Sequence, residues 1–314
     1  MNPSPTETLT GAQIVVRLLE RQGIRRVAGI PGGAILPFYD ALSQSTQIQH
    51  VLARHEQGGG FMAQGMARAT GEVAVCLASS GPGATNLVTA IADAKLDSIP
   101  LVAITGQVPR SMIGTDAFQE VDIYGMSIPI TKHNFLVGSA EELLTVIPQA
   151  FRLAASGRPG PVLIDIPKDV QNQRIEVGAW PEPGRADAVA APNADLVTQA
   201  AAMINAAERP LLYLGGGVVH SGASAQAVEL AEKASLPTVM TLMALGGMPV
   251  DHPLSLGMLG MHGARCTNFA LDECDLLIAV GARFDDRATG KVAAFCSHAK
   301  IIHIDIDPAE LDKI

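Results

Sequence analysis

The chain is poor in charge and holds no tract of it. Charged residues make up 17% of its 314 residues, and the formal net charge is −9. No cluster of Lys and Arg is available to neutralise a phosphate backbone, which argues against a nucleic-acid partner. No apolar stretch is long enough to cross a bilayer, so no membrane partner is expected. Residues 1–10 are polar and lack the ordered basic, apolar and cleavage regions of an export signal. Cys76, Cys266, Cys274 and Cys296 form no C-x-x-C pair. They read as small thiols of a reducing compartment, not as a disulfide framework or a zinc site, and the cytoplasm is the expected location. No Ser/His/Asp order suggests a hydrolase triad, and no spacing suggests metal ligands.

What is present is a globular α/β composition. The chain is 48% hydrophobic with 31 Gly and 20 Pro, a balance that excludes wholesale disorder. Its length exceeds what one core usually fills, so two domains are expected.

The stretch Arg54-His55-Glu56-Gln57-Gly58 organises the first half. It joins a short apolar run (48–53) to a helix-like segment (61–68), so Glu56 sits at a strand-to-helix junction. Gly58, Gly59 and Gly60 follow it, at a cost to helix stability unless something packs close to the backbone. Two more glycine-rich junctions flank it: Ile30-Pro31-Gly32-Gly33-Ala34 and Ser79-Ser80-Gly81-Pro82-Gly83-Ala84-Thr85-Asn86. Three such junctions around one acid point to a cofactor site at the carboxyl ends of parallel strands. A lone Glu there would ordinarily be a solvated first-turn residue favoured by the helix dipole; the neighbouring junctions reverse that reading.

Apolar periodicity predicts helices at 10–22, 34–43, 84–95 and 141–156, and strands at 26–30, 48–53, 73–78, 101–105 and 161–166. This alternation implies a mainly parallel sheet. Residues 107–132 lack periodic apolar positions and read as a long loop covering a site. Residues 170–195 turn polar and proline-rich. The expected division is a first domain over 8–175, a linker over 176–194 and a second domain over 195–314. The second half repeats the pattern, with helices at 196–207 and 223–234 and strands at 211–214, 238–242, 276–280 and 301–306. The fold class is therefore α/β, with two Rossmann-like parallel-sheet domains. Gly215-Gly216-Gly217 is by itself a weak signal.

Other candidates carry plainer alternatives. His262 lies in Gly257-Met258-Leu259-Gly260-Met261-His262-Gly263, too rich in glycine for a helix or regular strand. Its methionines suit ordinary core filling, and equally the enclosure of a flat ring. Arg283 and Arg287 suit surface pairs with Asp285 and Asp286, or a bidentate grip on a pyrophosphate or carboxylate. Lys168, after a strand-ending Pro, suits a solvated lysine.

Taken together, the three junctions, Gly114-Thr115-Asp116-Ala117-Phe118-Gln119-Glu120, the 257–263 loop and Gly281-Ala282-Arg283-Phe284-Asp285-Asp286-Arg287 resemble the acetolactate synthase (acetohydroxyacid synthase) catalytic large subunits, from about Thr10 to the last residue. The resemblance implies thiamine diphosphate, FAD and Mg²⁺ as cofactors. It implies a pyrimidine-binding first domain and an FAD-binding second one. Glu56 matches the catalytic glutamate that holds the aminopyrimidine ring in the tautomer able to take the thiazolium proton. Gly32, Gly33, Pro82 and Asn86 match positions around that ring, and Phe118 and Gln119 match walls of the site. Lys168, Met261, Asp286 and Arg287 match residues near the substrate channel, where Arg287 would orient the acceptor keto acid; Pro109 and Met112 match its lining loop. Arg158 matches an FAD contact, and the span 264–285, with Gly281, Arg283 and Asp285, together with Asp307 matches the FAD-binding stretch; Met261 and His262 are counted with the cofactor-binding residues.

The implied reaction condenses two pyruvates, or pyruvate and 2-oxobutanoate, in branched-chain amino-acid synthesis. The implied partners are further large subunits, as a dimer or tetramer, and a regulatory small subunit. One departure is large. The family continues into a third domain, whose Gly-Asp-Gly and Asn motif binds Mg²⁺ and the diphosphate, and no such motif stands here. The expectation is an N-terminal piece that does not turn over alone. Two rivals stand beside it: another thiamine-diphosphate decarboxylase or carboligase, and a non-catalytic nucleotide-binding protein.

Overall fold

The computed structural model describes residues 6–314, so half of the 1–10 segment examined for an export signal lies outside the described residues. The chain divides into two compact units, residues 1–189 and 190–314.

In the first unit the strands are β1 (Glu7–Thr10), β2 (Arg26–Gly29), β3 (Gln49–Leu52), β4 (Ala74–Ala78), β5 (Leu101–Gln107), β6 (His133–Leu136), β7 (Pro161–Pro167) and β8 (Arg174–Val177). The helices are α1 (Gly11–Arg21), α2 (Leu36–Ser43), α3 (Glu56–Thr70), α4 (Pro82–Thr85), α5 (Val88–Leu96), α6 (Ile123–Ser127), α7 (Leu143–Ala155) and α8 (Lys168–Asn172). Six strands form one parallel sheet in the order β3-β2-β4-β5-β7-β6. The order reverses direction at β2 and β4, which leaves a crevice at their carboxyl ends. Strands β4, β5 and β7 are buried along their whole length, as a sheet covered on both faces requires. Two apolar layers cover it: Ile14, Leu18, Phe38, Ile147 and Phe151 on one face, Ala63, Leu87, Ile91 and Ile99 on the other.

Local chemistry sets the boundaries. Thr10 starts α1 with a capping box, accepting from Gln13 N at 3.2 Å while its own N–H donates to Gln13 Oε1 at 2.9 Å. Gly71 ends α3 at φ +73°. The three glycines after Glu56 stay helical, and one of them sits where there is no room for a side chain. A Cβ on Gly60 would stand 2.6 Å from Ala90 Cβ, whereas one on Gly59 would make an ordinary contact, 3.4 Å from Gly29 Cα.

Several segments differ from the sequence expectation. Strands β1 and β8 pair antiparallel, and β6 adds a sheet edge just after the stretch read as a loop. Residues 107–132 contain α6 and two 3-10 turns, Arg110–Met112 and Ile128–Ile130. The expected 84–95 helix is two, α4 and α5. The boundary between the two units falls within the expected 176–194 linker. Trp180 packs on the first core, Arg21 donates to Pro181 O at 3.1 Å, and Arg152 pairs with Asp187 at 3.0 Å. These contacts hold much of the expected linker against the first unit.

The second unit has strands β9 (Pro210–Leu214), β10 (Thr238–Met240), β11 (Ser255–Met258), β12 (Leu276–Val280) and β13 (Lys300–Ile304). Its helices are α9 (Ala194–Ala206), α10 (Gly216–His220), α11 (Ser224–Ala234), α12 (Arg265–Glu273) and α13 (Asp286–Thr289). All five strands are parallel in the order β11-β10-β9-β12-β13, with the reversal between β9 and β12. β11 takes in Gly257 and Met258, so the glycine-rich loop begins as an edge strand.

The glycines of α3 separate two roles. Gly58 has nothing within 4 Å of an added Cβ. Gly58→Ala should raise stability to urea by about 0.5–1 kcal/mol, through helix propensity. Gly60→Ala should lower it by about 1–3 kcal/mol, because α3 and α5 must move apart. Equal shifts in the two urea midpoints would contradict this packing.

Candidate functional site

Glu56 opens α3 directly after β3, and His55 caps the helix by accepting from Gln57 N at 3.2 Å. Its side chain turns toward the crevice of the first sheet, where Asn86 Nδ2 donates to Glu56 Oε2 at 2.9 Å. Asn86 is positioned by the turn Gly81-Pro82-Gly83, since its N–H donates to Pro82 O at 3.0 Å. A Cβ on Gly83 would lie 3.5 Å from Glu56 Oε1. The absent side chain therefore keeps that second carboxylate oxygen open.

The other glycine junctions close around the same place. Gly32 lies against Ser79, where an added Cβ would come to 2.7 Å from Oγ, and that hydroxyl accepts from Ala34 N at 3.2 Å. Gly81, at φ +57°, meets Gln119, whose carbonyl oxygen would stand 2.6 Å from an added Cβ. Gln119 itself holds φ +59°. The segment 107–122 is thus folded back onto the third junction, with Phe118 87% exposed at its tip. Gly114 N donates to Glu120 Oε1 at 2.9 Å and ties the segment to itself. Pro109 precedes the turn that ends at half-exposed Met112.

Beneath this segment lies a buried carboxyl that the sequence reading passed over. Asp165, on β7, accepts from Thr105 Oγ1 at 2.7 Å and from Gln107 Nε2 at 2.9 Å. Gln107 Nε2 also donates to Val121 O at 3.0 Å, which links the sheet to the covering segment. Burial pushes the Asp165 carboxyl up from 3.8 to about 7, against the two hydrogen bonds and with help from the Asp122 charge. Tyr39 was also missed. Its hydroxyl is bonded to His50 Nε2 at 3.2 Å, and burial raises its pKa, with Cys76 and Glu56 adding to the effect. An apolar strand interior gave no sign of Asp165. Tyr39 falls inside the expected 34–43 helix, where no local feature marks it.

Lys168 begins α8 and lines an open depression with Thr10, Leu36, Asp40 and Arg174. Arg158 also belongs to the first unit, where its Nε donates to Ser98 Oγ at 2.8 Å.

In the second unit the loops meet at the β9/β12 reversal. Gly217 N donates to Gly281 O at 3.0 Å, and a Cβ on Gly215 would come within 2.0 Å of that oxygen. The triplet Gly215-Gly216-Gly217 is thereby a close backbone crossing. Gly281 takes φ +56° there. Met261 N donates to Arg287 O at 2.8 Å and brings the 257–263 loop beside the 281–287 loop. Met261 and His262 are exposed. Asp285 caps α13, accepting from Arg287 N at 2.9 Å, and Arg287 lies 3.9 Å from Asp286. Tyr213 Oη donates to Arg283 O at 3.4 Å. Asp307 accepts from Ala309 N at 3.0 Å just beyond β13.

Comparison with known proteins bears on both crevices. Residues 9–126 match the family model "Thiamine pyrophosphate enzyme, N-terminal TPP binding domain", and residues 197–314 match "Thiamine pyrophosphate enzyme, central domain". The chain belongs to the thiamine pyrophosphate enzymes.

Within that family it is similar to acetolactate synthases. It is 68% identical over 313 residues to the acetolactate synthase isozyme 1 large subunit of Escherichia coli, covering 99% of this chain and 55% of that one. It is 55% identical over 311 residues to acetolactate synthase of Mycobacterium bovis, covering 98% of this chain and 50% of that one. Against the Escherichia coli isozyme 2 large subunit the identity is 54% over 306 residues, covering 98% and 55%. The chain spans about half the length of the curated relatives it matches.

The residues present fit a thiamine ring at the first crevice, where Asn86 takes one Glu56 oxygen and Gly83 places no side chain against the other. They fit a nucleotide at the second, where the Thr241 hydroxyl after β10 is buried with no protein partner. They do not fit Mg²⁺: among the described residues no group of three His, Cys, Asp or Glu side chains could hold a metal ion. No helix among them is long and apolar enough to cross a membrane.

The raised Asp165 sets a pH window for stability. Below about pH 4 the carboxyl is protonated in both states. Between about pH 4 and 7 the unfolded chain releases the proton and the folded chain keeps it, so folding weakens as pH rises, by about 1.4 kcal/mol for each unit of displacement. Asp165→Asn should remove that slope. Urea titrations at several pH values check it, and parallel stability curves for the two proteins would refute it.

Proposed function

We propose that the protein containing this chain is an acetolactate synthase large subunit, which condenses pyruvate with pyruvate or with 2-oxobutanoate using thiamine diphosphate, FAD and Mg²⁺. The observation that carries the reading is Glu56, held by Asn86 at 2.9 Å with its second oxygen left open. When bound, thiamine diphosphate supplies the carbon acid whose conjugate base adds to the keto group. Glu56 is the one carboxylate in the cradle that can exchange a proton with a ring nitrogen, and Asn86 holds it in the rotamer that allows this. Gly32, Gly33 and Pro82 keep the ring's bed free of side chains. The Phe118–Gln119 segment, pinned through Gly81 and Val121, excludes water from above. Lys168 and Arg287 supply cations for substrate carboxylates, Arg287 through a planar fork.

For FAD the support is the second crevice: the Gly215–Gly217 crossing, the orphaned Thr241 hydroxyl and the neighbouring Met261, His262, Gly281, Arg283, Asp285 and Asp307. In this reading FAD is structural, because the condensation involves no net redox change. Arg158 is assigned to the same cofactor on the resemblance alone. Mg²⁺ would be held by residues outside those described. Self-association and a small regulatory subunit belong to the same reading; the exposed apolar residues Phe118, Tyr124, Met126 and Ile128 favour a partner over open water. The compartment assigned with it is the cytoplasm.

Pyruvate turnover is the test, with all three cofactors, on the chain alone and mixed with a separately expressed remainder of the enzyme. Acetolactate is expected in the mixture, and none from the chain alone. Glu56→Gln should lower kcat in the mixture by about 10²–10⁴-fold, with flavin content unchanged. Turnover within threefold of the parent would remove Glu56 from the chemistry. Flavin retention without acetolactate in the mixture would favour a nucleotide-binding role without catalysis.

A further inference from the structure

Within the core of the second unit lie two thiols that the proposed chemistry leaves unused. Cys274 follows α12, and Cys296 follows the short 3-10 turn Val292–Ala294; each is only 4% exposed. Their sulfurs converge on one carbonyl. Cys274 Sγ lies 3.2 Å and Cys296 Sγ 3.4 Å from Leu271 O. Two thiols that share one carbonyl oxygen lie side by side in the core. Cys296 adopts φ +46°, the left-handed region that residues other than glycine seldom enter. Neither Leu271 nor the surrounding Leu211, Leu277 and Ala279 offers a group that would reserve the thiols for a metal.

We propose that Cys274 and Cys296 are a redox-modification site that closes to a reversible intramolecular disulfide when the protein meets a small disulfide oxidant such as oxidised glutathione. The neighbouring Cys296 thiol holds the Cys274 thiol down, whereas Cys274 and burial raise Cys296, so Cys274 is the attacking thiol. Its thiolate attacks one sulfur of the oxidant and expels one glutathione thiolate, which takes up the proton that Cys274 gave to solvent. Cys296 then loses its proton, attacks Cys274 Sγ in the mixed disulfide and expels the second glutathione. Two protein thiols are oxidised and one small disulfide is reduced to two thiols. A reducing cytoplasm reopens the bond, which is how disulfides in that compartment act.

The bond would not be isolated from its surroundings. Phe295, beside Cys296, stacks edge-on against Phe284 at 6.0 Å, and Phe284 in turn meets Tyr213 at 5.9 Å and His303 at 5.1 Å. Phe284 belongs to the 281–287 loop, so closing the bond loads the crevice at the β9/β12 reversal. The bond itself does not rest on the flavin reading.

The test uses the Cys266→Ser variant, which removes the exposed thiol. The folded protein is incubated with oxidised glutathione, quenched in acid, alkylated in denaturant and mapped by peptide mass. The expected result is a cross-linked peptide pair carrying Cys274 and Cys296, two hydrogens lighter than the free peptides and restored by dithiothreitol. Cys76, whose thiol burial pushes up to about 12, should stay free. Full alkylation of Cys274 and Cys296, or a cross-link formed only after unfolding, would overturn the proposal. With Cys296→Ala added, Cys274 should retain a glutathione adduct that the resolving thiol otherwise removes. Equal adduct with and without Cys296 would also overturn it.

Discussion

Glu56 can face its crevice because glycines at the flanking junctions let the chain close in, two of them where a side chain would not fit. Gly32 rests on Ser79, Gly81 on the Gln119 backbone, and Gly83 beside the Glu56 carboxylate. Each contact leaves out one Cβ, and together they make the space at the β2/β4 reversal. A parallel sheet provides such a crevice wherever its strand order turns back, but the loops fill it unless their residues are small. The glycines are thus a condition on the site, and the conformational entropy they cost is set against burial elsewhere in the unit. That burial is extensive: β4, β5 and β7 are covered on both faces, and the loops hang from a rigid base.

The second unit meets the same constraint with different residues. Gly215 and Gly217 cross Gly281 at the β9/β12 reversal, with backbone hydrogen bonds replacing side-chain packing. The 257–263 loop is then hung from Arg287 O, and so follows the position of the 281–287 loop. Asp285 and Asp307 each cap a short helical turn, and their carboxylates are already partly satisfied by backbone N–H groups. Such carboxylates serve a ligand as fixed walls more readily than as mobile acids.

Much of this order was legible in the sequence where the physical signal is local. The Thr10 cap, the glycine stops and the apolar runs of β4, β5, β7, β9 and β12 follow from capping chemistry and from burial on both sheet faces. Four strands were missed: β1, β6, β8 and β11. Three of them mix exposed and buried residues and the fourth is half-buried throughout, so none shows a run of apolar residues. α6 escaped because Gly125 and Ser127 interrupt a five-residue helix whose start depends on Asp122 accepting from Gly125 N. The proline-rich stretch after residue 175 looked like linker by composition. Its attachment through Trp180, Pro181 and Asp187 involves partners many residues away, which no local pattern reveals. For the candidate site, the strand-to-helix junction at Glu56 was legible and its geometry was not. A glutamate between a strand and a glycine run marks a junction, whereas the Asn86 contact needs the fold.

Asp165 shows what such a reading leaves out. In sequence it ends an apolar strand and resembles any residue emerging into a loop. In the structure it is 1% exposed and holds Thr105 and Gln107 with its two oxygens. A buried carboxyl is costly unless its hydrogen bonds accomplish something an apolar side chain would not. Here the bonds orient Gln107, and Gln107 is the one side chain that both faces the sheet and reaches Val121 O. Replacing Asp165 by a hydrophobe would leave the core intact while freeing the Gln107 amide to rotate, and the 107–122 segment would lose its tie to β5. The carboxyl is therefore better understood as an anchor for the covering segment than as part of the core.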